Sequence, residues 1–426
     1  MPSFRSTRQC TVACLAVAIC FSNVAQGASS SAERDGSLAP LALRSALQAA
    51  WQQHPRFRVT EAELSAANAR RDAAGQPLYN PELEFNSNKE GPDRTSTAGV
   101  SLTLDLSGKR RARSEAAESR VDQAVAEARV RRREFARQWF NGWADLLTAT
   151  QRVGIGERRM ALVTRFATLA DKQYSADDIS GLERDLAALA RDEAQVQQSQ
   201  LESERSDAEA RFRAVGGAGD TVTATVLPTD TLPEPTATAA DIEQLPDWQV
   251  AHAAASAAER EVVVARRNRI ADPTLGVNGG RIDYGSFSDN VIGVTLRVPL
   301  FVRNSYGAEV IAAQAKADAA EAESERVTLE LSTENRRVIE SYAISRTAWD
   351  RWQSSRGTDV DRRADLLERL WREGELSTAD YLLQLKQTLD TALAGAELEA
   401  RVWRNYTDYL AAIGQLERWS GLEATP

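Results

Sequence analysis

The sequence predicts a mainly α chain with a transmembrane β-barrel contribution, built as two tandem repeats of helix, strand pair, long helix, helix. Three observations predict it. One series of motifs recurs twice in the same order, each copy carries two segments with period-two alternation, and each copy continues into a proline-free helical pattern far longer than a globular domain uses.

The N-terminal 27 residues come first in the chain and carry its export signal. Arg5 and Arg8 precede an apolar run from Val12 to Phe21, followed by small residues at Ala25, Gly27 and Ala28. This is the layout of a secretory signal peptide over residues 1–27. A spanning anchor needs roughly 20 apolar residues, about twice this run. Cys10, Cys14 and Cys20 all lie inside the segment, so the exported chain has no thiol, no disulfide and no cysteine-based zinc or nucleophile chemistry. Ile19 before Cys20 is a poor match to a lipidation site. With 52 Lys and Arg against 61 Asp and Glu the chain carries −9, and loss of Arg5 and Arg8 leaves 50 − 61 = −11. A net-acidic exported protein lacks the clustered cations that hold phosphate backbones, which excludes nucleic acid as the main partner. No later segment reaches 18 consecutive apolar residues, so any membrane-spanning part must be made of strands.

The repeat organises the rest, at a spacing that drifts from 191 to 197 residues. HPRF at His54 pairs with LPDW at Leu245, NPELEF at Asn80 with DPTLGV at Asp272, and GVSLTLDL at Gly99 with GVTLRVPL at Gly293. YSADDISGLE at Tyr174 pairs with WREGELSTAD at Trp371, and FRAVGG at Phe212 with YLAAIG at Tyr409. The first repeat is expected over residues 28–217 and the second over 241–414, with a C-terminal tail at 415–426. The intervening 218–240, with Pro228, Pro233 and Pro235 among Thr and Ala, reads as a linker or surface-wrapping segment.

Each copy opens on a helix rich in Ala, Glu, Arg and Leu, Leu41 to Gly75 and Asp241 to Asn268, stopped by Pro77 and Pro81 or by Pro273. Strands follow at about 82–89 and 96–106, then at about 273–284 and 289–300. Val100, Leu102, Leu104 and Leu106 alternate with Ser101, Thr103 and Asp105; Ile292, Val294, Leu296 and Val298 alternate with Gly293, Thr295 and Arg297. One face is apolar and the other polar, as in a strand between lipid and an aqueous lumen or in a small sheet packed on helices. Helical hairpins are expected at about 108–217 and 304–414. Their long arms, Gly108 to Tyr174 and Asn304 to Arg372, would each reach roughly 100 Å. The returning arm of the second copy keeps coiled-coil spacing through Leu382, Leu385, Leu389, Ala392, Ala396, Trp403, Tyr406, Leu410 and Ile413, broken only by Glu399. Four strands cannot close a barrel, and an open sheet edge is not tolerated in lipid, so a membrane reading forces oligomerisation of two, three or four chains.

These features together resemble the TolC family of outer-membrane efflux ducts. DLSGKRRAR at Asp105 to Arg113, VPLFVRN at Val298 to Asn304 and GELSTADYL at Gly374 to Leu382 are similar to its CzcC-type branch, which serves heavy-metal exporters of the resistance-nodulation-division class. The resemblance implies a homotrimer with a 12-stranded barrel in the outer membrane of a Gram-negative bacterium and a periplasmic coiled-coil tunnel. It also implies docking on a periplasmic adaptor protein and an inner-membrane pump. From the same fold, the exit duct of a multidrug efflux or type I protein-secretion system is the alternative. A soluble coiled-coil adaptor is a third reading, but adaptors carry one helical hairpin between β-rich halves, whereas two full repeats each hold only two strands here.

Enzyme chemistry finds no support in the sequence. His54 precedes Pro55 at a helix bend and His252 lies on an Ala-rich helix, neither beside a nucleophile motif, and no phosphate loop or HExxH is present. Two histidines and no cysteine make a poor donor set for a transition metal, so no cofactor is expected and the cargo is expected to pass without selection. The candidate site is the pair of acidic hairpin tips. Gly374, Ser377 and Ser180 shape the turns, and Asp380, Glu183, Glu373, Glu375, Asp177 and Asp178 are candidates for a periplasmic constriction. The resemblance places Asp380 where such ducts carry a ring-forming aspartate, with Glu183 its counterpart in the first copy. Leu383 and Leu376 stand where a second acid and a gating arginine would sit. The competing reading makes these acids solvated helix starts favoured by the dipole.

Overall fold

A computed structural model describes residues 38–219, 232–235, 241–354 and 360–423. The signal peptide expected at 1–27 and most of the expected linker at 218–240 lie outside the described residues. In chain order the elements are α1 (Leu41–Gln53), α2 (Pro55–Ala74), β1 (Glu82–Glu90), β2 (Asp93–Thr103), α3 (Lys109–Ser175) and α4 (Gly181–Ala214). A single 3-10 turn, Ile242–Gln244, then leads into α5 (Pro246–Asn268), β3 (Thr274–Asp283), β4 (Ser288–Arg297), α6 (Gly307–Ser354), α7 (Val360–Arg372), α8 (Thr378–Ala412) and α9 (Leu416–Ser420).

The opening helix of each copy departs from expectation. Leu41 to Gly75 is two helices, because Pro55 holds His54 extended at φ −74°, ψ 139° and ends α1. The His54 imidazole then caps α2 by accepting the Arg56 amide at 3.2 Å. Leu245 before Pro246 has the same conformation, φ −74°, ψ 133°, and breaks the expected Asp241 to Asn268 helix at the matching position. Proline at the first helical position fits there, since its missing N–H is one the helix leaves unpaired in any case.

The four strands form one antiparallel sheet in the order β1-β2-β3-β4. Two strands stop short of the alternation that predicted them, β2 at Thr103 rather than Leu106 and β4 at Arg297 rather than Leu300. The last bond beyond the β2–β3 ladder runs from the Leu104 amide to the Pro273 carbonyl at 2.9 Å, and Pro273 and Pro299 have no N–H to extend it. Asp105 instead accepts the Lys109 and Arg110 amides at 2.9 and 2.8 Å and starts α3. At the far end β2 begins at Asp93, three residues before the expected 96, because Gly91 and Pro92 make a two-residue turn with Gly91 at φ +63°. The second hairpin turns over four residues, Tyr284 to Phe287, whose rings stack at 4.7 Å.

One sheet face is apolar and uncovered: Leu83, Phe85, Val100, Val277, Ile292, Val294 and Leu296 are all more than half exposed. The register places Leu83 opposite Val100, Val100 opposite Val277 and Val277 opposite Val294, so the apolar side chains form continuous rows. The helices below repeat the strand order, α2 packing on α3, α3 on α5 and α5 on α6. Among the described residues no helix is long and apolar enough to cross a membrane.

Farther from the sheet α1, α3, α4, α6, α8 and α9 converge on an aromatic core that includes Phe135, Trp139, Trp143, Phe212, Tyr342 and Trp403. Residues expected as a tail after Gly414 belong to it, for Leu416 is fully buried and Trp419 lies 4.8 Å from Phe140. The described piece of the linker is held against α6, Tyr342 donating to the Pro233 carbonyl at 2.6 Å and Arg346 to that of Leu232. Below this core α3–α4 and α7–α8 run as two hairpins to their tips, α3 alone spanning 67 residues. A second, smaller core near the tips joins Phe166, Trp371, Tyr381, Leu385 and Leu389.

Candidate functional site

The two tips are built alike, residue for residue. In the first, the Asp178 amide returns to the Gln173 carbonyl at 2.9 Å across Asp177 at φ +64°; in the second, the Glu375 amide returns to Leu370 at 3.0 Å across Gly374 at φ +73°. Both are the six-to-one closure of a helix C-terminus, which needs one left-handed residue. Glycine supplies it without strain, and aspartate is among the few other residues that tolerate it. Asp177 is therefore a turn former at the position of Gly374.

Ser180 and Ser377 cap the returning helices. The Ser180 hydroxyl accepts the Glu183 amide at 3.3 Å, and that of Ser377 accepts the Asp380 amide at 3.1 Å. Glu183 reaches back to the Ser180 amide and hydroxyl at 2.8 and 2.9 Å, closing a capping box. Asp380, one methylene shorter, accepts only the Ser377 hydroxyl, at 2.7 Å. The Ser180 amide and then its hydroxyl hold the Glu183 carboxyl below the usual carboxylate range, assisted by Thr378.

Thr378 is a residue the sequence did not single out. Its hydroxyl is buried, accepts the Trp371 indole N–H at 3.1 Å and donates to Glu183 at 3.2 Å, so it ties one tip to the other. Phe166 stacks on Tyr381 at 4.3 Å and meets Trp371 at 4.5 Å beneath this bond. Lys386–Glu193 at 2.6 Å and Arg159–Asp390 at 3.3 Å continue the clasp along the hairpins. The heptad seam gave signal for Leu385 and Leu389; nothing local marks Thr378, whose partner lies 195 residues away.

Of the predicted acids, the structure brings Glu183 into this clasp and leaves the others in solvent. Asp177, Asp178, Glu373, Glu375 and Asp380 are exposed and make no ion pair among the described residues. Leu376 packs partly buried against the tip core, whereas Leu383 is 54% exposed. On α4, Leu182, Leu189 and Val196 stand seven residues apart and more than 60% exposed, an apolar stripe leading away from the tip.

A second polar centre sits where sheet meets helices. Lys109 and Asp272, whose side chains are 10% and 3% exposed, pair at 2.8 Å, and Tyr79 donates to the same carboxylate oxygen at 2.8 Å. Above α2, α3, α5 and the start of α6 lies a concave cavity of about 1450 Å³, lined with both signs of charge, including Arg70, Arg113, Glu127 and Glu261. His54 caps α2, and His252 stacks on Trp248 at 4.5 Å. Among the described residues no group of three or more His, Cys, Asp and Glu is placed to hold a metal ion.

No family model matches the chain. It is 26% identical over 312 residues to the nickel-cobalt-cadmium resistance protein NccC of Alcaligenes xylosoxydans xylosoxydans, covering 70% of each. It is 28% identical to the nickel and cobalt resistance protein CnrC of Cupriavidus metallidurans, over 67% of this chain and 69% of that one. The cobalt-zinc-cadmium resistance protein CzcC of the same organism is 25% identical, over 53% of this chain and 56% of its own length. Among solved structures, the Campylobacter jejuni CmeC outer membrane channel superposes with a TM-score of 0.73 at 15% identity, covering 94% of both chains. CusC gives 0.73 at 14% identity over 88% and 92%, and the Neisseria gonorrhoeae MtrE outer membrane channel 0.65 at 15% over 90% and 91%. None of these is named as an enzyme. The chain thus has the TolC-type channel fold read from its sequence, and the resemblance to CzcC-type resistance proteins holds.

Proposed function

We propose that this chain is the outer-membrane exit duct of a tripartite efflux system of the resistance-nodulation-division class, exporting heavy-metal cations. One observation carries the reading: a four-stranded sheet with an uncovered apolar face and two open edges stands on a row of helices that continues its strand order. Such a sheet is stable in lipid only if copies close it into a barrel, which makes the helices the wall of a tube. We take the copies to be three, giving 12 strands. The names of NccC, CzcC and CnrC support metal cations as the cargo.

The duct is passive. Two histidines and no cysteine in the exported chain offer no soft or imidazole-rich site at which a transition metal would be held. The exposed stripe of Leu182, Leu189 and Val196 is the kind of surface a partner coiled coil covers, and it is the docking face for a periplasmic adaptor, with an inner-membrane pump beyond. Asp380 is the constriction residue, because it is solvated and held in one rotamer by Ser377, while Glu183 is consumed by the clasp. Copies around one axis would present a ring of like charge that favours cations.

Loss of the gene is expected to raise sensitivity to nickel, cobalt, zinc or cadmium salts, and the protein to extract from outer membranes as a trimer. Sensitivity only to organic drugs, or a defect in protein export alone, would move the cargo to the alternative duct classes; a freely soluble protein would end the membrane reading. For the tip, Asp380→Ala is expected to raise single-channel conductance in planar bilayers and weaken cation preference. Unchanged conductance and selectivity would place the constriction elsewhere.

A further inference from the structure

The helical end of the sheet carries a cluster of arginines that internal pairing uses only in part, Arg266 spending one N–H on Gln314 at 3.5 Å. Lys109, Arg110 and Arg111 open α3, with no acid in its first turn. The dipole disfavours cations at that end. Arg266 and Arg267 close α5, and Arg269 follows it. Lys109 is consumed by Asp272, and Arg111 pairs with Glu115 at 2.9 Å with its side chain 86% exposed. Arg267 spends one N–H on the Ser107 carbonyl at 3.0 Å, and Arg269 one on Ser305 at 3.1 Å, each keeping further donors. The Arg110 side chain makes no bond among the described residues, and Arg110, Arg266, Arg267 and Arg269 are exposed.

Of these arginines, Arg111 and Arg266 lie on the side away from the cavity, which is the lipid-facing one. Asp272 is in step with Thr274 on the polar sheet face and meets Lys109 and Tyr79, which line the concave cavity, so cavity and polar face share one side. Arg111 and Arg266 stand two residues from the cavity-lining Arg113 and Asn268, about 200° round their helices and so facing away from it. At this same level the chain exposes Leu106, Ile270, Leu300 and Val302, by 72%, 47%, 77% and 85%. Strands of 10 or 11 residues, tilted as in a barrel, rise roughly 25 Å, the height of an apolar band, so the arginines fall just past hydrocarbon, at headgroup depth. The opposite rim is different: Lys89, Arg94 and Arg281 are outnumbered there by Glu90, Asp93, Asp283 and Asp289.

We propose that Arg111, Arg266, Arg267 and Arg269 form a belt that binds the phosphates of anionic glycerophospholipids in the leaflet on the helical side of the membrane. The inference rests on the membrane-duct reading. Guanidinium forks match phosphate oxygens bidentately, and exposed apolar side chains beside them receive the acyl chains. The belt fixes how deep the barrel sits and which end faces the helical compartment.

The test reconstitutes the full exported chain into vesicles of phosphatidylcholine with one quarter phosphatidylglycerol, re-extracts it in mild detergent, and counts retained lipids by mass spectrometry. The ratio of phosphatidylglycerol to phosphatidylcholine among retained lipids is expected about fivefold above the bulk ratio, the factor one arginine supplies at a charged surface. Enrichment is expected to fall at least twofold in Arg111→Gln/Arg266→Gln, the two side chains that face away from the cavity, and to persist in Lys89→Gln/Arg94→Gln at the other rim. Circular dichroism and elution volume check that both variants fold. No enrichment in the unmodified protein, or full enrichment in the arginine variant, overturns the belt. Loss of enrichment on adding millimolar inorganic phosphate overturns the lipid assignment in favour of a free-anion site. Failure to enter vesicles of either composition overturns the membrane reading, and the belt with it.

Discussion

Glu183 and Asp380 occupy the same repeat position, follow a capping serine by the same three residues and carry the same charge, yet only one is tied across the tips. Two things differ: an extra methylene lets Glu183 close its capping box with one oxygen and offer the other to Thr378, and Gly181, at the matching position of the first tip, has no hydroxyl to offer Asp380. Thr378→Val keeps the volume and removes the hydroxyl, a net loss of about 1 kcal/mol that acts locally. Amide exchange over residues 176–183 and 373–380 is expected to quicken about fivefold, with the overall melting temperature little changed; unaltered exchange would assign the clasp to Phe166, Trp371 and Tyr381 alone. The sign of the pH effect follows from the lowered Glu183 carboxyl. Its stabilisation is fully present above the ordinary value of 4.5 and is lost as the pH falls below that through the lowered one, so protection of the tip amides, measured against their intrinsic exchange rate at each pH, is expected to fall there. The sequence shows the serine, the acid and their spacing; it does not show that Thr378 faces Glu183, because that contact depends on how two hairpins pack.

At the scale of elements, strand and helix are joined by a few residues that each do one thing. Gly108 takes φ +72° before α3, Asp105 caps the helix, and Lys109 crosses to Asp272 in the other repeat. The resemblance picked out the motif DLSGKR, while its physical cause lay 163 residues away in a partner that reads as an ordinary Asp-Pro turn. Lys109→Met leaves Asp272 buried without its counter-charge, and such a break costs about 3–5 kcal/mol. Asp272→Asn, which retains polar contacts for Tyr79 and Ser107, is expected to cost less. Denaturation of both variants in detergent checks the order; losses under about 1 kcal/mol in both would mean that packing, not charge, holds the junction. The same scale holds the helices misjudged from sequence: His54-Pro55 and Leu245-Pro246 were visible, but their helical flanks outweighed a single break in the pattern.

For the whole molecule, the decisive property is a sheet with one wet face and one dry face. Val294→Arg on the apolar face is expected to weaken bilayer insertion by about 2–4 kcal/mol, whereas Thr295→Arg, the next residue and on the other face, leaves it nearly unchanged. Insertion into phosphatidylcholine vesicles from urea measures both, and equal effects would mean that neither face meets lipid. The sequence by itself determined the repeat, the strand alternation, the long helices and the tip turns, because each is a periodicity or a turn written within a few residues. Only the tertiary structure decided that β2 pairs with β3, that Lys109 meets Asp272, and that Glu183 is bound across the tips while Asp380 is not. Those facts join residues far apart in the chain, where no local pattern reports which side chains will meet.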